Sequence, residues 1–305
     1  MDARHYQRPA DLCRAQTALM QWVREAGHCN YWHKGDIGHR LFNGCYKYDK
    51  AEVFRYWLGA AGEIAAFATL HPHWEVFDLQ VAPALRFSDD HIKIFEFCER
   101  ETLRLAAGFG ISFDALAADA FDCDPAYIAF VEARGYTLDK LGFIMTRHDL
   151  ADLPEAELPA GFRFCEATAA DAARLADVHN HSFTNKWNAE SYGAVFRSPH
   201  MEHEWVVVAP DGRFAAFTNL WIDDLNRSLL FEPVGTHSDF RRKGLAKALM
   251  TYALRRMKEE RGIECAYVCH QPPEVNPAAV ALYASVGFER LHDIYEYKKP
   301  VRSIR

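Results

Sequence analysis

The feature that most constrains the fold of this 305-residue chain is an internal repeat. Residues 57–67 and 207–217 both place a glycine-containing turn between two apolar stretches, and both end in Ala-Ala-Phe. Residues 124–136 and 276–288 both begin with Asp or Asn before Pro-Ala and reach a Gly-aromatic pair after the same spacing. Matches in the same order at a nearly constant offset indicate a tandem duplication. We therefore predict two copies of one structural plan.

A linker separates the two predicted copies. Residues 147–161 are acidic and proline-rich and lack apolar periodicity, as expected of an interdomain segment. The predicted division is a first domain at 1–149, a linker at 150–161 and a second domain at 162–305. Strands and helices mix within the second copy, which predicts an α/β fold with a mixed central sheet flanked by helices. The predicted helices there are 167–181, 245–260 and 277–285, and the predicted strands are 204–209, 213–221, 229–234, 265–270 and 293–298.

Composition and charge exclude several classes of protein. Half of the residues are hydrophobic and 13% are aromatic, which suffices for packed cores. The formal charge of −7 provides no attraction to nucleic acid or to an anionic lipid surface. No apolar run has the roughly 18 residues that a membrane span requires, and the N-terminal residues lack the pattern of a signal peptide. We therefore expect no nucleic acid and no membrane as partners, and a cytoplasmic location.

The eight cysteines are scattered and contain no Cys-x-x-Cys pair. Cys265, Cys269 and His270 are close in sequence, but the intervening Val and Tyr favour a buried strand, and three such residues do not complete a zinc site. Scattered thiols are typical of a reducing compartment. The pattern predicts no metal site and no disulfide framework.

The segment 231–246 contains the main chemical signal. An apolar strand ends near Thr236, a short basic loop follows, and a helix begins close to Gly244. The first turn of a helix exposes unpaired backbone N–H groups at the positive end of the helix dipole. Gly244 and Ala246 leave room for a phosphate oxygen to approach these groups, which predicts a pyrophosphate site. The segment is neither a Walker loop nor a dinucleotide-binding glycine motif, and the alternative is a basic surface loop that caps a helix.

Two motifs resemble those of the GNAT superfamily of N-acetyltransferases. Its coenzyme A signature is Arg or Gln, then Gly three positions later, then Gly or Ala two positions after that, and Arg241, Gly244 and Ala246 match it. A second GNAT motif lies downstream and is matched by Asn276, Ala279, Tyr283, Gly287 and Phe288. With the preceding strands, the resemblance covers the second half of the chain. It implies two tandem GNAT-like domains, a layout similar to that of mycothiol synthase.

The resemblance implies a binding site for acetyl-coenzyme A as co-substrate. The backbone of Val234, Gly235 and Thr236 would pair with the pantetheine arm and orient the acetyl carbonyl. Asn276 would contact the same arm. The pyrophosphate would be held beside the charge of Arg241 by the backbone amides of Arg242, Lys243, Gly244, Leu245 and Ala246.

Two residues are candidates for proton transfer. Tyr283 would face the thioester sulfur and donate a proton to the leaving thiolate, because a phenol stays protonated at neutral pH. Its alternative role is that of a core aromatic residue on an amphipathic helix. Glu232 precedes the working end of the cofactor strand between Phe231 and Pro233, where partial burial would make it a useful general base. The alternative is that strand alternation points it at solvent.

The acceptor site is the least constrained part of the prediction. Trp221, Asp223 and Asp224 would suit a cationic amine, although Asp-Asp-Leu-Asn-Arg also reads as an ordinary polar turn. His179 and His181 lie on a helix that often borders the acceptor pocket in this superfamily, and ordinary surface or core histidines are the alternative. The expected reaction is transfer of an acetyl group to a primary amine of a small molecule by direct attack. Acetylation of a protein or peptide, and a non-catalytic acyl-coenzyme A sensor, remain alternatives.

The first half keeps the plan without the motif. Where the second half has its basic loop, the first has Ser88, Asp89 and Asp90, without a glycine and with two charges that repel pyrophosphate. In the downstream motif Asp124 replaces the asparagine and Val131 replaces the tyrosine. We predict that the first domain does not bind coenzyme A.

Overall fold

The computed structural model describes residues 1–183, 186–197 and 203–304. These residues form two compact units. Unit 1 comprises Met1–Ile144 together with the chain from His292 onward, and unit 2 comprises Met145–Leu291.

Unit 1 combines a small antiparallel sheet with packed helices. Its strands are β1 (Arg4–His5), β2 (Phe54–Leu58), β3 (Ile64–Leu70), β4 (Phe77–Val81), β5 (Ala115–Phe121) and the first part of β6 (Thr137–Asp149). Its helices are α1 (Pro9–Ala26), α2 (Lys34–His39), α3 (Lys50–Val53), α4 (Asp89–Gly108) and α5 (Pro125–Glu132). Strands β1 to β4 pair in chain order. Helix α1 is amphipathic because its apolar residues recur every three or four positions, and Leu12, Leu19 and Val23 are buried.

Unit 2 contains the predicted mixed sheet. Its elements are β7 (Arg163–Glu166), α6 (Ala172–Phe183), α7 (Ala189–Val195), β8 (His203–Val208), β9 (Phe214–Asp223), β10 (Ser228–Thr236), α8 (Leu245–Arg261), β11 (Cys265–His270) and α9 (Pro277–Val286), followed by β12 (Glu289–Pro300), which runs on into unit 1. Within this unit the strands β11, β10, β9, β8 and β7 pair in that order; β10 and β11 are parallel, and the other three pairs are antiparallel.

Alternation along the strands of unit 2 divides its apolar residues between two faces. Val207 and Leu220 pack with Leu249 of α8 on one face, and Val206 and Phe217 pack with α6 and α7 on the other. Helices therefore cover both faces of the sheet, which confirms the predicted α/β class.

The predicted elements of the second half are present, with boundaries shifted by a few residues. The strand predicted at 265–270 is β11, and the helix predicted at 245–260 is α8. The helix predicted at 167–181 begins as a short 3-10 turn, Ala169–Asp171, and continues as α6. Helix α7 was not predicted. Its seven residues are too few for a clear apolar period.

The compact units differ from the predicted linear division at its C-terminal end. Strand β12 pairs antiparallel with β5, from Ile294↔Phe121 to Pro300↔Ala115. Tyr297 is buried there, and Lys299 Nζ lies 2.9 Å from Glu99 Oε1. The last strand thus belongs to unit 1 rather than to the predicted second domain. The sequence did not predict this because the apolar pattern of a strand does not reveal which strand it pairs with.

The segment predicted as a linker has no helix or strand, but it is packed against unit 2. Leu150 is 2% exposed and belongs to the core beside α8, with Leu153 and Leu158 against its edge. The Lys258 side chain donates to the carbonyl oxygens of Leu150 and Ala151.

The prediction that the cysteines form no disulfide framework was wrong for one pair. Cys29, after α1, is bonded to Cys123, after β5, across 94 residues of sequence. The other six cysteines are thiols outside this disulfide. The pairing could not be predicted because tertiary packing alone brings these two loops together. Among the described helices, none combines the length and apolar character that a bilayer crossing needs.

Candidate functional site

Strand β10 separates from its parallel neighbour within unit 2. It pairs with β11 only from Ser228↔Cys265 to Leu230↔Tyr267, whereas its pairing with β9 continues to Thr236. Its register with β9 shifts between Phe231 and Val234, which marks a bulge at the point of separation. Beyond Leu230, the described residues of β11 no longer pair with β10, so the β10 edge near Val234 and Gly235 can offer backbone groups to an extended ligand.

The separation opens a cleft of about 600 Å³. Its walls are the end of β10, the loop into α8, the first turn of α8, the helix α9 and the last residues of α6. The predicted cofactor residues that line it are Val234, Gly235, Thr236, Arg241, Arg242, Gly244, Leu245, Ala246 and Asn276, together with Tyr283. Lys243 does not line the cleft. Ser182, Phe183 and Lys247 also line it and were not predicted.

The loop before α8 has the backbone shape of an anion cradle. Gly244 is the N-cap of α8 with φ of +75°, and Arg242 also has a positive φ, of +66°. A methyl group at position 244 would meet no atom within 4 Å, so the space above the first turn of α8 is open. The unpaired amides of that turn and the helix dipole favour a phosphate there.

Arg241 holds the loop before α8 in place. Its guanidinium donates to the carbonyl oxygens of His181, Ser182 and Thr236, at 3.2, 3.1 and 3.4 Å. These oxygens belong to the end of α6 and the end of β10. Arg241 therefore connects two walls of the cleft, and its positive charge stays beside the cradle.

Gly235 is required by close packing on the floor of the cleft. A Cβ atom there would lie 2.3 Å from Phe217 Cε1 and 2.8 Å from Ser182 Oγ. Since carbon atoms in contact are normally 3.5–4.0 Å apart, only glycine lets α6 and the Phe217 ring approach β10 this closely.

Tyr283, on α9, lines the cleft and is 8% exposed. Burial raises the pKa of its hydroxyl, and the charges of Glu232 and Cys269 raise it further. The hydroxyl therefore stays protonated at neutral pH, as a general acid requires. Since the charge of Glu232 acts on the pKa of the Tyr283 hydroxyl, the two predicted catalytic residues lie in the same region. Glu232 itself is half-buried and does not line the cleft.

Asn276 is the N-cap of α9. Its side-chain oxygen accepts a hydrogen bond from the Ala279 N–H at 3.2 Å. The same residue lines the cleft, so its cap bond holds it at the cleft wall.

The structure places the predicted acceptor residues Trp221, Asp223 and Asp224 in structural contacts away from the cleft. Trp221 is 0% exposed, and its indole N–H donates to the Glu232 carbonyl at 2.9 Å. Asp223 is 1% exposed and accepts from the backbone and side-chain nitrogens of Asn226, which closes the turn between β9 and β10. Asp224 pairs with Arg261. Residues 224–227 form a polar turn, which is the alternative given above for this segment.

The two histidines of α6 differ in their surroundings. His179 is buried among the rings of Phe183, Trp187, Tyr192 and Phe217, and burial lowers its pKa to about 4. It is therefore a neutral core histidine. His181 lies at the surface and stacks on His237, with ring centroids 4.1 Å apart.

One side-chain group of unit 2 has the composition of a metal site. Ligand atoms of Asp177, His181 and His237 lie within 4.8 Å of one another. However, His237 Nδ1 accepts the Asp239 N–H at 3.1 Å, so the neutral ring has its proton on Nε2, the nitrogen that faces Asp177 at 3.7 Å. A protonated nitrogen cannot bind a metal, and the group does not fit one in this arrangement.

Glu204, on β8, was missed by the sequence analysis. It is 1% exposed, and its Oε1 accepts from the Tyr192 hydroxyl at 3.1 Å. Burial raises its pKa to about 8, so it holds a proton at neutral pH. The available signal was alternation: Glu204 shares a strand face with Val206 and Val208, where a charge is unexpected.

The counterpart loop of unit 1 has no cradle. Ser88 caps α4 by accepting the His91 N–H, and Asp89 and Asp90 occupy the first turn of the helix. Arg86 is paired with Asp124. Acidic side chains thus occupy the place of the basic loop of unit 2, and the absence of coenzyme A binding in unit 1 stays a prediction.

Residues 172–288 match the sequence model of the Acetyltransferase (GNAT) family. The chain also resembles solved structures over its whole length. A tandem GNAT protein from the clavulanic acid biosynthesis pathway is 16% identical, with 98% of each chain covered and a TM-score of 0.67. A GCN5-related N-acetyltransferase from Sphaerobacter thermophilus is also 16% identical, covering 98% of this chain and 95% of its own, with a TM-score of 0.62.

A GNAT-family acetyltransferase from Colwellia psychrerythraea is 12% identical, covering 98% of this chain and 100% of its own, with a TM-score of 0.60. At these identities the likeness establishes the fold. No curated protein is similar enough in sequence to count as a relative.

Proposed function

We propose that this chain transfers an acetyl group from acetyl-coenzyme A to a primary amine of a small molecule. The match of residues 172–288 to the Acetyltransferase (GNAT) family model and the likeness of the fold to that of a tandem GNAT protein support the proposal. The proposal keeps the expected cytoplasmic location and expects neither nucleic acid nor membrane as a partner.

One observation carries the proposal: the cleft where β10 leaves β11 combines three chemical functions. The unpaired edge at Val234 to Thr236 offers hydrogen bonds to an extended amide-bearing arm. The first turn of α8 offers amides to a pyrophosphate. Tyr283 offers a protonated phenol in the same cleft. Together these groups match the pantetheine arm, the pyrophosphate and the thioester of acetyl-coenzyme A.

In the proposed reaction the amine nitrogen attacks the acetyl carbonyl directly. The new C–N bond forms, and the C–S bond breaks as the tetrahedral intermediate collapses. Tyr283 donates its proton to the departing thiolate, and Glu232, directly or through water, takes the proton that the nitrogen loses. Hydrogen bonds from the β10 edge to the carbonyl oxygen would stabilise the charge that develops there.

The test is thiol release from acetyl-coenzyme A in the presence of small amines, amino acids, polyamines and short peptides, repeated with Tyr283→Phe. Phenylalanine keeps the ring packing against Phe288 and removes only the proton donor. We expect kcat to fall by about 10²-fold or more, while acetyl-coenzyme A affinity, measured by calorimetry, stays unchanged.

Other outcomes would change the proposed function or the proposed role of Tyr283. Turnover with peptides alone would replace the small-molecule acceptor by a peptide or protein. Tight binding of acetyl-coenzyme A without turnover of any acceptor would favour the acyl-coenzyme A sensor. A Tyr283→Phe variant with full kcat would refute the role of the phenol.

A further inference from the structure

Unit 1 contains a gap between two strands that corresponds to the cleft of unit 2. Strand β4 pairs with β3 over its whole length, from Leu70↔Phe77 to Ala66↔Val81. Within the described residues, the ladder contact between the β4 and β5 regions is the single parallel bridge Val76↔Ala117. The strands separate beyond that bridge, as β10 and β11 do.

A segment of the chain itself fills this gap on the β4 side. We call residues 30–32, which connect α1 to α2, the plug. The Tyr31 hydroxyl donates to the Val81 carbonyl at 2.9 Å, and Tyr31 is 3% exposed. The Trp32 N–H donates to Gln80 Oε1 at 3.2 Å. The plug thus bonds to the end of β4, the part whose counterpart in β10 lines the open cleft.

The plug also contacts β5 on the other side of the gap. The Phe121 N–H donates to Asn30 Oδ1 at 3.4 Å, and the Trp32 and Phe121 rings pack edge to face at 5.4 Å. What remains around the plug is a cavity of about 20 Å³, with two of about 10 Å³ beside it. These hold at most a water molecule each, against about 600 Å³ in unit 2.

A disulfide joins the plug to the far wall of the gap. Cys29 directly precedes the plug, and Cys123 lies between β5 and the N-cap of α5. Neither cysteine is buried, so a small reductant can reach the bond. An imidazole nitrogen of His292 lies within 4.8 Å of Cys123 Sγ.

We propose that the Cys29–Cys123 disulfide is a redox latch that holds the plug in the unit 1 gap, and that reducing it opens the gap. In the reducing step a dithiol gives up two electrons and two protons. The S–S bond breaks, both cysteines become thiols, and the dithiol becomes a cyclic disulfide. After reduction, three hydrogen bonds, ring contacts and the packing of Tyr31 in the core beside Trp22 still hold the plug. Opening of the gap therefore requires local loss of these contacts without unfolding of the unit.

Thiol counting establishes the oxidised state first. The denatured, unreduced chain should show six thiols and the reduced chain eight. Eight thiols in the air-oxidised protein would overturn the proposal.

The decisive measurement is hydrogen exchange of the full chain, with and without dithiothreitol. On reduction we expect amide exchange to rise by about tenfold or more in residues 28–33 and at the facing ends of β4 and β5. The β2–β3 hairpin of unit 1 and the α8 region of unit 2 should not change. The double variant Cys29→Ser/Cys123→Ser should reproduce the reduced pattern without reductant, and Cys165→Ser, a free thiol in unit 2, should behave as wild type.

Two results would overturn the latch. Unchanged exchange in residues 28–33 after reduction would mean that the plug does not depend on the disulfide. A rise throughout unit 1, including the β2–β3 hairpin, would mean that the disulfide stabilises the whole unit rather than the plug. Quenching of tryptophan fluorescence by acrylamide gives a second readout, because Trp32, 5% exposed, should become accessible only when the plug leaves.

Discussion

Alanine at position 235 would place a methyl group in space that unit 2 already uses. The added Cβ would lie 2.3 Å from Phe217 Cε1, more than 1 Å inside ordinary contact. Phe217 is 0% exposed and sits in the core under α6, so its ring cannot swing away. Either β10 or α6 must move, and both are walls of the cleft.

The expected cost follows from overpacking of a close-packed core, about 1–3 kcal/mol. For a unit of this size, about 2 kcal/mol lowers the melting temperature by about 4–8 °C. Movement of β10 also misplaces the edge that is proposed to bind the pantetheine arm. We therefore expect acetyl-coenzyme A affinity to fall by about tenfold, equivalent to about 1.4 kcal/mol.

Denaturant unfolding and calorimetry with acetyl-coenzyme A measure the two effects. Phe217→Leu removes the ring carbon that clashes, so the double variant Gly235→Ala/Phe217→Leu should show an interaction energy of about 1 kcal/mol or more. Gly193→Ala is the matched control: its Cβ meets no atom within 4 Å in helix α7, and alanine should stabilise that helix slightly. If Gly235→Ala leaves both stability and affinity unchanged, the packing argument is refuted.

Three further predictions concern unit 2. Gly244→Glu should weaken acetyl-coenzyme A binding by about tenfold or more in calorimetry, because it puts a negative charge at the proposed phosphate site. Gly262→Glu is the control, since Gly262 also has a positive φ (+63°) but lies at the other end of α8, and it should not weaken binding. Equal losses of affinity would place the cradle elsewhere. In the folded state Glu204 keeps its proton up to its raised pKa of about 8. In the unfolded chain it loses the proton near pH 4.3. The free energy of unfolding should therefore fall as pH rises between these two values, by at most about 1.4 kcal/mol per pH unit. Glu204→Gln should flatten that slope in denaturant titrations at several pH values. Trp221→Phe removes the hydrogen bond to the Glu232 carbonyl and should lower the free energy of unfolding by about 1 kcal/mol in denaturant titrations. Acetyl-coenzyme A affinity should stay unchanged because Trp221 does not line the cleft, and a loss of affinity would contradict that placement.

The cofactor side of the site was predictable because its geometry is local. A helix start, a glycine in the left-handed region and a basic loop lie within a few residues of one another, and the proposed phosphate ligands are backbone amides. The acceptor side was not predictable in this way. Trp221 and Asp223 have residue types that suit an amine, yet they are buried in structural hydrogen bonds, because composition does not reveal which way a side chain points.

Sequence patterns were enough to predict the repeat, the α/β class and the place of the proposed phosphate cradle. Each of these follows from periodicity, turn residues or short-range motifs. Tertiary structure alone decided three other features: β12 completes unit 1, Cys29 meets Cys123, and the plug fills the unit 1 gap. Each depends on contacts between segments far apart in the chain, which the free energy of packing selects and no local pattern encodes.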